Sequence, residues 1–156
     1  MAVNQELVGR EFPSTAPYLV GREKVREFAR AVFADAPQHS DVEAARALGF
    51  DDVVAPPTFA MVIQDLTLQQ LLAQEDSGIV LARTIHAEQR FTYTRPIVAG
   101  DELTGQLRVT GIRMMGGNAM ITSEAEISDA SGAHVVTATS VLLVGAEEST
   151  DEGQAA

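Results

Sequence analysis

His39, His86 and His134 are the side chains of this sequence whose charge changes nearest neutral pH, so acid–base chemistry is the first class to weigh. His39 has the most suggestive neighbours, with Asp35 four residues before it and Pro37 between them. A carboxylate and an imidazole brought together can share a proton transfer. The plainer reading is open too: His39 as a loop histidine and Asp35 as a helix-end carboxylate. His86 falls on the outer face of a strand, in a structural or interfacial role, and His134 opens an exposed strand start after a turn. Three well-separated histidines with no dense carboxylate cluster give no metal-ligand pattern. The absence of cysteine removes thiolate nucleophiles, disulfides and cysteine zinc sites. No G-x-S-x-G segment supplies a serine nucleophile, and Gly116-Gly117 reads as a hairpin turn.

The elements that must position these residues are organised around one stretch, residues 53–74 (VVAPPTFAMVIQDLTLQQLLAQ). Pro56 and Pro57 suit a helix start, and Thr58 follows them as the expected N-cap. Phe59, Val62, Ile63, Leu66, Leu68, Leu71 and Leu72 then recur at helical spacing, which predicts a mostly buried central helix. At roughly 16 residues it is too short to span a membrane.

Upstream, residues 9–17 read as a loop with Pro13 and Pro17, and residues 18–20 as a short strand. The spacing of Val25, Phe28, Ala29, Val32 and Phe33 predicts an amphipathic helix over 22–33. Ser40 and Glu43 have capping-box spacing and Gly49 suits a C′ position, which predicts a short helix over 40–48. Downstream the period becomes two. Residues 84–94 place Ile85, Ala87, Gln89, Phe91 and Tyr93 on one face. Residues 102–115, 119–127 and 134–144 continue the alternation, separated by turns at Gly100-Asp101, Gly116-Gly117 and residues 129–132. Long strands joined by short turns predict an antiparallel meander. One apolar helix and one sheet with a single apolar face predict an α+β layer in which the sheet curls around the helix.

Composition limits the partners. Eleven Lys and Arg against 22 Asp and Glu give a net charge of −11, which argues against nucleic acid and anionic membranes. Residues 1–12 hold no apolar signal core, so a cytoplasmic location is expected. Residues 1–145 read as a single domain, and 146–156 (AEESTDEGQAA) as a disordered acidic tail.

Several stretches resemble one family. Phe28-Ala29 with Ala36-Pro37-Gln38-His39 resembles the F-A-x-x-x-x-D-x-N-P-x-H signature of MaoC-like (R)-specific enoyl-thioester hydratases. Residues 54–57 (VAPP) resemble the A-H-G or A-P-G segment that leads into their helix. Residues 91–101 (FTYTRPIVAGD) resemble their F-x-x-P-x-x-x-G-D strand and turn. Residues 20–29 with 55–59 are similar to actinobacterial dehydratase-related proteins of the substrate-binding, catalytically depleted type. The resemblance spans about residues 8–144 and implies a hot-dog fold. It implies (3R)-3-hydroxyacyl-thioester dehydration or enoyl-thioester hydration in fatty-acid metabolism, with an acyl-CoA or acyl-carrier-protein thioester as ligand. It further implies a homodimer or a heterodimer with a homologous hot-dog subunit, and no cofactor or metal.

That chemistry needs an acid–base pair for the C2 proton and the 3-hydroxyl, and a donor for the thioester oxygen. In the active branch an aspartate and a histidine do the first, and a glycine N–H at the central helix start does the second. His39 matches the histidine. The aspartate position is Ala34, with Asp35 one residue late, and the asparagine position is Ala36. The glycine position is Pro57, which has no N–H to donate; the N–H of Thr58 could replace it only from a shifted backbone. Pro57, Thr58 and Ala60 are thus the expected substrate-binding residues, with Ala60 and Gly105 lining an acyl channel. Three readings stand: a substrate-binding subunit whose partner supplies the acid–base pair, a self-sufficient hydratase using His39 and Asp35, or an inert acyl-thioester binding protein.

Truncation after Gly145 is expected to leave the fold intact, because the removed segment has no large apolar side chain to bury. Thermal melting of the truncated protein checks this; a drop of several degrees would mean the segment docks.

Overall fold

The computed structural model describes residues 2–146. The acidic tail expected over 146–156 lies outside the described residues except for Ala146. The elements are β1 (Tyr18–Leu19), α1 (Arg22–Ala31), α2 (Val42–Ala47), α3 (Ala60–Leu72), β2 (Thr84–Tyr93), β3 (Glu102–Met115), β4 (Asn118–Asp129) and β5 (His134–Val144). The strands form one antiparallel sheet in the order β1-β3-β4-β5-β2, and α3 packs against β3, β4 and β5. This is the α+β hot-dog arrangement.

The order corrects the simple meander. Only β3, β4 and β5 follow one another as neighbours; β2 pairs with β5, so residues 94–101 carry the chain from one side of the sheet to the other. Irregular pairing at His86/Glu88, Val109/Gly111 and Ile127/Ser128 inserts extra residues into the ladders. Such bulges bend and twist a strand, which suits a sheet that must curl. The His86/Glu88 bulge also breaks the alternation of β2, so Gln89, Phe91 and Tyr93 turn inward while Ile85 stays exposed. Gly116 and Gly117 both take positive φ (58° and 83°), the two-residue turn that matches strand twist and joins β3 to β4.

Residues 9–15, expected as a loop, run along the outer edge of β3. Gly9 N–H donates to Val109 O at 2.8 Å, Phe12 N–H to Leu107 O at 2.8 Å, and Thr15 N–H to Gly105 O at 2.9 Å. The prolines keep this segment from being a regular strand, yet every third residue still satisfies the edge. Leu7 and Phe12 anchor it in the core.

Helix ends differ from expectation for local reasons. α1 stops at Ala31, and Phe33 sits at φ 56° while Ala34 N–H reaches back to Ala29 O at 2.9 Å. That is a left-handed C-terminal reversal with phenylalanine where glycine is usual. It rotates Val32 and Phe33 off the core stripe, and Phe33 is 85% exposed. α2 is capped by Asp41, whose Oδ1 accepts from Glu43 N–H at 2.8 Å, and not by Ser40. Thr58 does not cap α3. Residues 57–59 already form a turn, and Phe59 occupies the cap position with helical φ/ψ and no side-chain cap bond.

On α3 the fully covered stripe is Ala60, Ile63, Gln64, Thr67, Leu68 and Leu71, while Val62, Leu66 and Leu72 are half-buried. The sheet therefore covers one side of the helix. Gly105 permits the close approach of β3: a Cβ there would lie 2.8 Å from Thr67 Cγ2 and 3.2 Å from Ile63 Cγ2. Gly105 thus faces packed helix, and the expected channel does not open there.

Gly105→Ala is expected to lower stability by about 1–3 kcal/mol through overpacking. Gly111→Ala, where an added Cβ meets nothing within 4 Å, serves as the control. Urea unfolding of both variants decides it, and equal midpoints would contradict the close contact.

Candidate active site

Residues 53–55 are held between two segments. On one side a single 3₁₀ turn, Pro37–His39, accepts Val54 N–H on Gln38 O at 2.9 Å. On the other, Ala55 N–H donates to Ile97 O at 2.8 Å and Ala99 N–H to Val53 O at 3.0 Å. Between these walls lies a cleft of about 540 Å³, lined by Gln38, His39, Val54, Ala55 and Pro57 on one side and residues 93–97 on the other. That size suits a small-molecule ligand.

His39 is buried, and its Nδ1 lies 2.6 Å from Val54 O. A carbonyl only accepts, so Nδ1 carries the hydrogen, and in the neutral ring Nε2 is the nitrogen with the free lone pair. The backbone thereby sets the tautomer of a potential base.

Tyr93 closes the other wall. Its hydroxyl donates to Pro57 O at 2.6 Å, tying the end of β2 to the segment that enters α3. Burial pushes the phenol up to about 12, against a smaller opposing pull from the Ala60 N–H. The group therefore stays protonated across the working pH range.

Arg95 forms the rigid base of this wall. Its Nη1 and Nη2 donate to Asp101 at 2.8 and 3.1 Å, and Nη2 also reaches Asp129 Oδ2 at 3.1 Å. Asp101 Oδ2 accepts Val98 N–H at 2.9 Å. Asp129 Oδ1 accepts from Ser131 Oγ at 2.6 Å, Ser131 N–H at 3.0 Å and Ala133 N–H at 3.1 Å. The Ser131 hydroxyl, then the Arg95 guanidinium, hold the Asp129 carboxyl down at about 2. This network joins the crossover segment, the start of β3 and the β4–β5 turn.

The expected site residues do not all meet. His39 and Pro57 line the cleft. Asp35 is exposed and is not among the lining residues, Thr58 is exposed outside them, and Ala60 is fully buried behind them. His86 is exposed on β2 and is not among the lining residues. His134 is half-buried rather than exposed, with Nδ1 2.6 Å from Thr94 Oγ1 and Nε2 2.8 Å from Thr137 Oγ1. Among the described residues, no group of three or more His, Cys, Asp or Glu side chains could hold a metal ion. No described helix is long and apolar enough to cross a membrane. Tyr93 and Arg95 were not singled out from sequence. Their signal was an aromatic and a cation flanking the end of an alternating strand just before Pro96.

Comparison with known proteins bears on this geometry. The family described as "FAS1-like, dehydratase domain region" matches residues 6–138. A UPF0336 protein of Clavibacter michiganensis subsp. michiganensis is 63% identical over 144 residues, covering 92% of this chain and 97% of that protein. Among solved structures, the C-terminally truncated HadBC (3R-hydroxyacyl-ACP dehydratase) complex of Mycobacterium tuberculosis superposes with a TM-score of 0.79 at 30% identity. That match covers 88% of this chain and 96% of the other. A MaoC-like dehydratase superposes with a TM-score of 0.81 at 37% identity; the match covers 91% of this chain but 43% of that longer one.

The Asp129 network generates a pH prediction. The folded carboxyl titrates at about 2, below its ordinary value of 3.8, so its contribution is present above about pH 4 and is lost as pH falls toward 2. Wild type is expected to melt above Asp129→Asn at pH 5–7, with the gap closing on acidification. A constant gap from pH 7 to pH 2 would show that Asp129 acts without its charge.

Proposed function

Because the chain belongs to the FAS1-like dehydratase region family, we propose that it is the substrate-binding subunit of a (3R)-3-hydroxyacyl-thioester dehydratase. In this reading it holds an acyl-CoA or acyl-carrier-protein thioester, and a homologous hot-dog subunit supplies the complete acid–base pair. Dehydration removes the C2 proton and expels the 3-hydroxyl as water, so one group must take a proton and another must give one. The observation that carries the proposal is the composition of the cleft: His39 is present with its tautomer set, but among the described residues no carboxylate lines the cleft beside it. Asp35 stands exposed one residue past the matching place and is not among the lining residues. Pro57, at the wall where the helix begins, has no N–H.

The sheet edges support a partner. Residues 9–15 cover the edge of β3, whereas β2 is bonded only to β5 among the described residues. An open edge strand is stabilised by pairing with another chain. The HadBC structure is a complex of dehydratase subunits, which supports a heterodimer here; a homodimer satisfies the same edge. The orientation of His39 favours one second reading, a self-sufficient hydratase in which Asp35 reaches the site after a rearrangement of residues 33–37.

An enoyl-thioester hydration assay separates the two. The purified chain is expected to turn over at least about 10²-fold more slowly than its mixture with a homologous subunit carrying an intact Asp-x-Asn-Pro-x-His segment, since an acid–base partner contributes about 10²–10⁴. His39→Ala should leave thioester binding nearly unchanged. Efficient turnover by the chain alone, abolished by both His39→Ala and Asp35→Asn, would replace the binding-subunit reading with the self-sufficient one.

A further inference from the structure

The donors on the walls of the cleft are mostly committed. His39 Nδ1–H is spent on Val54 O, and Val54 and Ala55 N–H on Gln38 O and Ile97 O. Thr94 N–H is spent on Val135 O, and its hydroxyl meets His134. Arg95 is divided between Asp101 and Asp129. Pro57 and Pro96 have no N–H. The Gln38 side-chain amide and the Ile97 N–H, also on these walls, have no partner among the described residues, so the carbonyl oxygen of a bound thioester, an acceptor, meets few free donors here.

Tyr93 is different in kind. Its hydroxyl hydrogen lies on Pro57 O, an acceptor that is itself part of the cleft wall. Rotation about one C–O bond redirects that hydrogen without moving the ring. The ring is fixed by its place at the end of β2, opposite Val136, and by its tilted contact with Phe91 at 6.3 Å between centroids. The hydroxyl is partly desolvated, which strengthens any bond it makes and keeps it a neutral donor.

We propose that the Tyr93 hydroxyl is the hydrogen-bond donor to the thioester carbonyl oxygen, turning from Pro57 O to the ligand when the cleft fills. The step is hydrogen bonding only; the phenol keeps its proton. Tyr93 then fixes the carbonyl and polarises the thioester toward loss of the C2 proton. The Pro57 carbonyl gives up its hydrogen bond in the exchange, so the gain is the difference between two similar bonds plus the relief of an unpaired ligand oxygen. This inference rests on the acyl-thioester reading of the cleft.

The test uses crotonyl-pantetheine labelled with ¹³C at the carbonyl, read by isotope-edited infrared spectroscopy on the full chain. The bound carbonyl stretch is expected at lower frequency in wild type than in Tyr93→Phe, with affinity weakened by about 3–10-fold in the variant. The matching thioether, with a methylene in place of the carbonyl, should bind both proteins equally. Should Tyr93→Phe fold poorly, biosynthetic 3-fluorotyrosine is the second arm. It retains shape, strengthens the donor and should lower the frequency further; the other tyrosine, Tyr18, does not line the cleft. A bound carbonyl whose frequency is the same in wild type and both substitutions overturns the role of Tyr93 while leaving the binding reading intact. A wild type that binds neither thioester nor thioether overturns the reading itself and Tyr93 with it.

Discussion

The structure depends on the placement of residues 53–55, an extended segment bonded on both sides. Gln38 O takes Val54 N–H, His39 gives to Val54 O, Ile97 O takes Ala55 N–H, and Val53 O accepts from Ala99. A short non-strand segment rarely satisfies its backbone so fully unless neighbouring segments are brought to it. Here the neighbours are the turn carrying His39 and the crossover from β2 to β3. The same bonds therefore set the direction in which the chain enters α3, the separation of the cleft walls and the tautomer of His39. Arg22 grips Asp52, with Nη2 2.6 Å from Oδ2, and Asp52 in turn accepts Val53 N–H at 2.7 Å, so the start of α1 is tied to the same segment.

Above that segment the core divides. One cluster gathers Val53, Phe59, Ile63, Ile97, Leu103 and Ala138; the other gathers Leu7, Phe12, Leu68, Leu71, Leu107 and Leu142. Between them, along each packed element, sits a small or polar residue: Gln64 and Thr67 on α3, Gly105 on β3, Ser123 on β4 and Ser140 on β5. Ser123 and Ser140 hydroxyls bond at 3.0 Å, and Thr67 Oγ1 donates to Gln64 O at 2.7 Å. Gln64 Nε2 reaches Ala138 O at 3.4 Å, while its Oε1 has no partner among the described residues. A buried acceptor left unpaired costs about 1–3 kcal/mol. The arrangement has a compensating effect on register. A two-residue slip of α3 or a strand would set hydroxyls against leucine and drive a side chain into the space that Gly105 leaves open.

Local chemistry explains which parts of this were legible in sequence. Alternation in β3 and β4 was clear because one face of each is buried, and Gly116-Gly117 left little choice of turn. The helix over 22–31 followed from its apolar spacing, but its end did not, since Phe33 in a left-handed conformation runs against residue preference. The role of residues 9–15 was hidden because an edge partner in a proline-broken segment has no periodic pattern to show. Strand order was hidden for a similar reason: alternation tells which face is buried, not which strand lies beside which. Within the site, His39 and Pro57 stood out through motif spacing. Tyr93 and Arg95 did not, because their significance lies in partners 36 and 34 positions away, Pro57 and Asp129.

These partners also shape what the cleft can do. At the wall where α3 begins, Pro57 presents a carbonyl rather than an N–H, and that carbonyl is occupied by Tyr93. Pro57 itself therefore offers no donor to an oxygen gaining negative charge at this wall. His39 retains a lone pair on Nε2 that can take the C2 proton, and a second group beside it would let the departing hydroxyl be protonated in the same step. Among the described residues, no carboxylate on the cleft walls fills that place. The wall that is most heavily cross-linked is the one around Arg95, bound to the crossover and the β4–β5 turn. Rigidity is thus concentrated where a ligand would be held, and acid–base capacity is thin where it would react. That distribution is the physical basis for the proposal that this chain binds and a partner transfers the proton.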